Sequence, residues 1–498
     1  MKFLKRLAPF AVIALAAFLL VELPDIGPER YTDLAAFFRT ELGRQAYSGY
    51  AVAVVKDGSL LYVDAFGRDG AGDPLAVDTP LCIGALSKSF AGFAALSLAR
   101  EGKLDLDAPV RTYLPWFSFA AGGAGGEGAA VTPRHLLSHT SGISDRDFDD
   151  VHPGALDLDS AVRVLATAIP RAAPGAETRY LNTDYQALGL VLEKASGLPY
   201  DELLAAKVFA PLGMSKSSAA PGKVAGAVPP GNGSFFGAPV PRRQALLPFG
   251  APSGYLVSTA EDLGRYLAFL VAPEKLKKKP PLPAKAVPVL FAPLLPSSPY
   301  AFGWRIEGEG PTLRASHGGS LEAFSAEAVV WPAERAAVVV VAAQNSLLQS
   351  MVSMPSLIEG AHSLIREGSA ARPLPLQRLY ILLAVTAIVH LLVLALQTGF
   401  ALGWARDMRC RAEAQGGETV VRLARIRAVF GIVVRGALFA ATPLALTAVF
   451  GRKVTWAVVF QLEPGLAGWL VVACFFGIMR NLTRLAWLRG PRQPTGAR

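Results

Sequence analysis

Three short segments of this 498-residue chain carry side chains whose types could move protons and hold a substrate. The first is Ile83-Gly84-Ala85-Leu86-Ser87-Lys88-Ser89-Phe90, which opens an apolar run at helical spacing. On a helix Lys88 projects from the same face as the residue three positions earlier, Ala85. The second segment is Tyr180-Leu181-Asn182, and the third is Ser316-His317-Gly318-Gly319-Ser320. An amine acts as a base near neutral pH only if burial or a neighbouring cation depresses its pKa, and a buried phenol beside it can relay a proton to a leaving group. Each segment alone is a weak signal, because a lone Lys, Tyr or His is more often structural. Their joint meaning depends on the elements that hold them.

Those elements are readable. Tyr50 to Val55 and Leu60 to Val63 are apolar strands flanking Lys56-Asp57-Gly58, and an Asp-Gly turn between such runs is the strongest short-range hairpin signal. Helical spacing recurs in Phe90 to Gly102 and Tyr185 to Ser196, directly after the first and second segments. Ala326 to Trp331 and Ala336 to Ala343 read as buried strands, followed by a helix from about Leu348 to Ile365. Strands first and last with helices between give an α/β domain, an antiparallel sheet flanked by helices plus a helical lobe. Ala120 to Ala130 and the Pro- and Lys-rich Pro273 to Pro299 read as inserted loops that supply no packed core, and Gly368 to Pro375 as a linker.

Composition places part of the chain in a bilayer: 52% of residues are hydrophobic, 18% are charged and mean hydropathy is +0.36, which argues against a wholly soluble or a disordered protein. Lys2, Lys5 and Arg6 precede the uncharged run Leu7 to Val21, so residues 1–24 read as a signal peptide or, lacking a clean cleavage site, a retained signal anchor. Leu379 to Trp404 is long enough to cross the hydrocarbon layer, with His390 and Gln397 as polar interruptions. Residues 429–450 and 464–487 are the second and third spans, Arg480 and Arg484 snorkelling toward the interface.

Arginines in a 405–428 loop and the 488–498 tail keep both on the cytoplasmic side, which leaves residues 30–366 exported ahead of a 367–378 linker. This distribution, not nucleic-acid binding, accounts for the net charge of +10. Arg435, within the second span, either snorkels to the cytoplasmic surface or pairs inside the bundle. Cys82, Cys410 and Cys474 are too scattered for a disulfide framework or a metal cluster, and His135 with His139 lacks a third ligand, so no metal is expected.

Read together, the three segments resemble the Ser-x-x-Lys, Tyr-x-Asn and Lys/His-x-Gly elements of the serine β-lactamase and penicillin-binding protein superfamily, specifically its class C β-lactamase-like branch. Val54-Val55-Lys56-Asp57-Gly58, Glu101-Gly102-Lys103-Leu104-Asp105-Leu106, His135-Leu136-Leu137-Ser138-His139-Thr140-Ser141-Gly142, Ser258-Thr259-Ala260-Glu261-Asp262-Leu263 and Phe302-Gly303-Trp304 extend the resemblance over about Leu34 to Ile365. It implies a β-lactamase-like fold at the bacterial inner membrane, facing the periplasm or exterior. The implied chemistry is an acyl-enzyme mechanism without cofactor on a small peptide, β-lactam or ester. Residue by residue, it implies that Lys88 and Tyr180 handle protons, that Asn182 orients the substrate amide, and that His317, Gly318 and Gly319 lie on the strand beside which substrate docks. The backbone N–H groups of Ala85 and Ser320 would form the oxyanion hole. One exported hydrolase domain before three spans also resembles the layout of membrane-bound prodrug peptidases that remove an N-acyl-D-amino-acid cap.

The departure falls on the nucleophile, whose position is taken by Ala85. Loss of a nucleophile typically leaves about 10³ to 10⁴ acceleration over water and no covalent intermediate. Three readings follow: a serine hydrolase carrying a natural or introduced substitution, a natural pseudoenzyme that binds cell-wall or natural-product peptides at the membrane, or a rearranged helix start from which Ser87 or Ser89 acts. Cys82 reads as a small buried apolar residue. Asp145, Asp147, Asp149 and Asp150 read as a solvated loop or an acidic lip, and Arg242 and Arg243 as solubilising groups or a catch for a substrate carboxylate.

Overall fold

The computed structural model describes residues 30–119, 130–144, 155–224, 226–247, 249–277, 279–399, 418–450 and 454–489. They divide into two compact units, one within Ile26–Gln377 and one within Arg378–Phe450 and Val454–Arg498.

The first unit is built on a seven-stranded antiparallel sheet of β1 (Gly49–Lys56), β2 (Ser59–Gly67), β3 (Tyr300–Ala301), β4 (Trp304–Glu307), β5 (Arg314–Ser320), β6 (Ser325–Trp331) and β7 (Ala336–Ala342), in the order β2-β1-β7-β6-β5-β4-β3. Asp57 and Gly58 both take positive φ, +49° and +71°, which matches the twist of a two-residue hairpin and pairs Lys56 with Ser59. The central strands β1 and β7 are apolar without alternation because both faces are covered. On one face, Ala53, Val55, Val339 and Val341 meet helix α4 (Ala260–Val271), in one core with helices α2 (Ser87–Arg100) and α3 (Asn182–Ser196), which pack on each other. On the other, Tyr50, Val52, Val338 and Val340 meet α1 (Leu34–Arg44) and α5 (Met354–Glu367). Each such valine contributes about 1.5–3 kcal/mol by its burial.

Helix α2 is the axis of the site, and Ser87 to Leu98 are all buried. It lies so close to the Phe302-Gly303 turn that a Cβ on Gly92 would collide with the carbonyl of Phe302, and one on Gly303 with the carbonyl of Lys88. Gly92→Ala is therefore expected to destabilise the protein by about 3 kcal/mol through overpacking against backbone, read as a drop in the thermal midpoint of the full chain in detergent.

Three expectations are corrected. Within the Pro273 to Pro299 stretch, Ala284–Phe291 forms a 3₁₀ helix that buries Ala286, Val287, Leu290 and Phe291, with Phe291 edge-on to Trp304. The apolar run Ala-Val-Pro-Val-Leu-Phe outweighs the flanking prolines and lysines. The linker is tied down: Ala370–Ala371 pairs with Arg30–Tyr31, while Pro373 O accepts from Arg44 Nη2 at 2.7 Å and Leu374 O from Gln45 Nε2 at 3.0 Å. Arg422, Arg425 and Arg427 belong to a helix rather than a loop, since the second apolar helix already begins at Glu418 and no Gly or Pro interrupts its first turns. Residues 120–129 and Asp145, Asp147, Asp149 and Asp150 lie outside the described residues, as does the 1–24 segment.

The second unit holds α6 (Leu376–Gly399, from Arg378 on), α7 (Glu418–Phe450) and α8 (Pro464–Arg489), each long and apolar enough to cross a membrane. A short helix, Trp456–Leu462, precedes α8.

Candidate active site

A 3₁₀ turn, Gly84–Leu86, leads into α2 at Ser87. Gly84 has φ +55°, and a Cβ there would sit 2.7 Å from Ser320 N; a Cβ on Gly319 would strike Ile83 O. Two glycines thus allow the backbone at Ala85 to lie against β5. β4 pairs with β5 only through Arg314 to Ser316, so among the described strands the opposite edge of His317 to Ser320 carries no partner strand. Gly318 and Ser320 are exposed, Gly319 is buried, and Ser320 Oγ accepts from Asn345 Nδ2 at 2.8 Å.

Lys88 is fully buried. Its Nζ donates to Asn182 Oδ1 at 2.8 Å and to the carbonyl of Ser253 at 2.6 Å, and it stands 4.7 Å from the centre of the Tyr180 ring, within cation–π range. Amine, phenol and amide therefore converge. Ala85, whose flanking residues Gly84 and Leu86 are buried, is partly exposed one turn before Lys88.

The hydroxyls of Ser87 and Ser89 are bonded to main chain. Ser87 Oγ donates to Gly84 O at 2.6 Å and accepts from Leu256 N at 3.1 Å, while Ser89 Oγ donates to Leu86 O at 2.8 Å, and both are fully buried. Each hydroxyl is committed to backbone away from the amine. Burial pushes the Cys82 thiol up to about 12, so it stays protonated and inert.

An aromatic and imidazole wall surrounds the amine. The Tyr180 ring centre lies 4.5 Å from His139, 6.0 Å from Tyr300 and 6.3 Å from His317. Burial first, then the charge of Lys88, hold His139 well below the usual histidine range, so its 3.4 Å approach to Asp184 is a contact of a neutral ring rather than an ion pair. His139 Nδ1 instead accepts from Leu181 N at 3.3 Å, fixing the segment that carries Tyr180 and Asn182. His317 Nδ1 lies 2.7 Å from Gly318 O; a carbonyl only accepts, so Nδ1 bears the hydrogen and Nε2 is left as a buried acceptor without a hydrogen-bond partner among the described residues.

Burial, and secondly Lys88, lower the His317 pKa to about 3. Between the usual histidine value of about 6.5 and that value the unfolded chain binds a proton that the native state refuses, so stability falls as pH falls through this window, by about 1.4 kcal/mol per pH unit. His317→Gln should flatten that dependence in urea melts run from pH 7 to pH 4.

Residues that sequence reasoning passed over are Ser253, whose backbone carbonyl holds Lys88, and Tyr300, the far wall. His135 Nδ1 accepts from Thr132 N and caps the helix Pro133–Leu137. Arg242 lies 3.7 Å from Glu322, and Arg243 is exposed.

Comparison with known proteins decides the family, because the Beta-lactamase profile matches residues 34–362. The chain belongs to the Beta-lactamase family. Esterase EstB of Burkholderia gladioli is 35% identical over 196 residues, which cover 36% of this chain and 49% of that protein. Protein flp of Staphylococcus aureus strain MW2 is 26% identical over 314 residues, 60% of each. The chain thus spans about half to three fifths of the length of these relatives. The octameric penicillin-binding protein homologue from Pyrococcus abyssi superposes with a TM-score of 0.56 at 25% identity, over 67% of this chain and 77% of that one. This Beta-lactamase family member therefore has the family's antiparallel sheet and helices, followed by long apolar helices.

Proposed function

We propose that this protein is a membrane-anchored, outward-facing serine hydrolase of the β-lactamase and penicillin-binding type in which Ala85 occupies the nucleophile position, so that it captures substrate without forming an acyl-enzyme. The observation that carries this reading is the Lys88 amine, held by Asn182 and Ser253 one turn from a partly exposed methyl, with Ser87 and Ser89 committed elsewhere. In the reading, Lys88 and Tyr180 handle protons, the N–H groups of Ala85 and Ser320 face the developing oxyanion, and Asn182 positions the scissile carbonyl group's neighbours.

Substrate chemistry follows from the open edge. An extended acyl-peptide can dock along His317, Gly318, Gly319 and Ser320 as an added strand. The exposed residues of that edge, Gly318 and Ser320, would offer main-chain N–H and C=O groups, which suit a substrate that carries amides of its own. That supports an N-acylated amide, such as a D-amino-acid cap, above a simple ester, although one relative is named an esterase. A membrane-tethered receptor is the second reading, favoured by the survival of every binding group around Ala85.

Fluorescence polarisation of a labelled penicillin with the unaltered full chain in detergent tests capture. Saturable binding that is fully released on denaturation is expected; absence of binding, or label that survives denaturation, contradicts it.

A further inference from the structure

Helices α7 and α8 pack antiparallel with arginines in their seam. Arg425 Nη2 donates to Leu488 O at 2.7 Å, Gly431 lies against the side-chain amide of Asn481, and the Arg435 guanidinium lies on Gly477 while its Nη1 donates to Gly431 O at 2.9 Å. Gly477, Arg480, Asn481 and Arg484 fall three, four and seven residues apart, on one stripe of α8. The charges of Arg435 and Arg484 both bear on Arg480. Among the described residues Arg435 meets no carboxylate: it is bent onto the neighbouring helix.

The seam is short of negative charge. After Glu418 at its first position α7 contains no acidic residue, and α8 contains none at all. Arg480 Nε is buried and makes no hydrogen bond among the described residues, and Asn481 is 3% exposed. Charged groups at such depth in a bilayer persist when they face a partner or a polar ligand, and residues of this kind mark functional sites. Arg480 lies nine residues, about 14 Å of helix, before the last residue of α8, which is within one leaflet of a roughly 30 Å hydrocarbon layer.

We propose that the Arg435–Arg480–Asn481 seam binds the phosphate of an anionic phospholipid from the leaflet at the Glu418 and Arg489 ends of these helices. The inference rests on α7 and α8 lying in a bilayer and is independent of what the exported domain hydrolyses. The groups offered are rich in donors, the Arg480 guanidinium, the part of the Arg435 guanidinium not spent on Gly431 O and the Asn481 amide N–H, and guanidinium forks match phosphate oxygens bidentately. At this depth the anion at hand is a lipid headgroup drawn between the helices, and basic pockets between spans bind such headgroups.

Native mass spectrometry of the full chain in detergent, titrated with dioleoyl phosphatidylglycerol or dioleoyl phosphatidylcholine, tests this. The anionic lipid should be retained at about tenfold lower concentration than the zwitterionic one, and Arg480→Gln and Arg435→Gln should each abolish that preference. Arg427→Gln, on the exposed part of α7, should leave it intact, and Arg480→Lys, which keeps the charge but not the fork, should retain part of it and guards against a folding defect in the neutral variant. Equal retention of the two lipids, or a preference unchanged in both glutamine variants, overturns the proposal. Displacement of the lipid by excess inorganic phosphate overturns the lipid source in favour of a soluble anion.

Discussion

Replacing Ala85 with serine should raise the hydrolysis of a chromogenic ester or acyl-amide by about 10³-fold or more, the scale of rate that a nucleophile adds to a site already holding its binding and oxyanion groups. The expectation comes from what surrounds the methyl. A serine hydroxyl at position 85 would emerge from the same helical face as Lys88, whose amine is already held by Asn182 and the Ser253 carbonyl and covered by the Tyr180 ring. Gly84 and Gly319 already allow the backbone of Ala85 to approach the edge of β5, so the substitution requires no rearrangement of the turn. The added oxygen faces a partly exposed position, which avoids an overpacking cost. A rate indistinguishable from the unaltered chain would mean that Lys88 and Tyr180 are not arranged for catalysis.

Lys88→Met in the Ala85→Ser background should remove about 10³ to 10⁴ of the restored rate, because a serine without its base is a weak nucleophile. The change also bears on stability. Methionine has similar reach, but it leaves the Ser253 carbonyl and Asn182 Oδ1 without the donor they hold now, at a cost of about 1–3 kcal/mol for each group that stays buried and unsatisfied. Water entering from the Ala85 side would reduce that cost, so the kinetic loss should exceed what the shift in thermal midpoint accounts for. A kcat that falls only in proportion to the folded fraction would assign Lys88 a structural role.

The parts of this protein legible in its sequence are those encoded by local chemistry. Asp57-Gly58 demands left-handed backbone and so specifies a hairpin, and the unbroken apolar runs of β1 and β7 specify strands covered on both faces. Lys88 and Asn182 sit on the first turns of helices whose apolar spacing is plain, but that the two should converge was implied by the resemblance of their segments to the Ser-x-x-Lys and Tyr-x-Asn elements, not by the spacing. Ser253 was not readable, since a backbone carbonyl that accepts a hydrogen bond leaves no mark on residue type. Tyr300 was hidden by the prolines before it, and the 3₁₀ core segment Ala284–Phe291 by the lysines that precede it. The pairing of Ala370–Ala371 with Arg30–Tyr31 joins residues more than three hundred positions apart through main chain alone, which no periodicity betrays. At the far end, Arg435 was legible as an anomaly, but its lodging on Gly477 depends on two helices meeting.

Intact-protein mass spectrometry after incubation with a penicillin tests the central claim most directly, using the full chain as it stands, Ala85→Ser, and Ser87→Ala. The account predicts a mass increase of one opened β-lactam on Ala85→Ser and none on the other two. An adduct on the unaltered chain that disappears with Ser87→Ala would contradict it, since the hydroxyl now bonded to Gly84 O would then be the nucleophile.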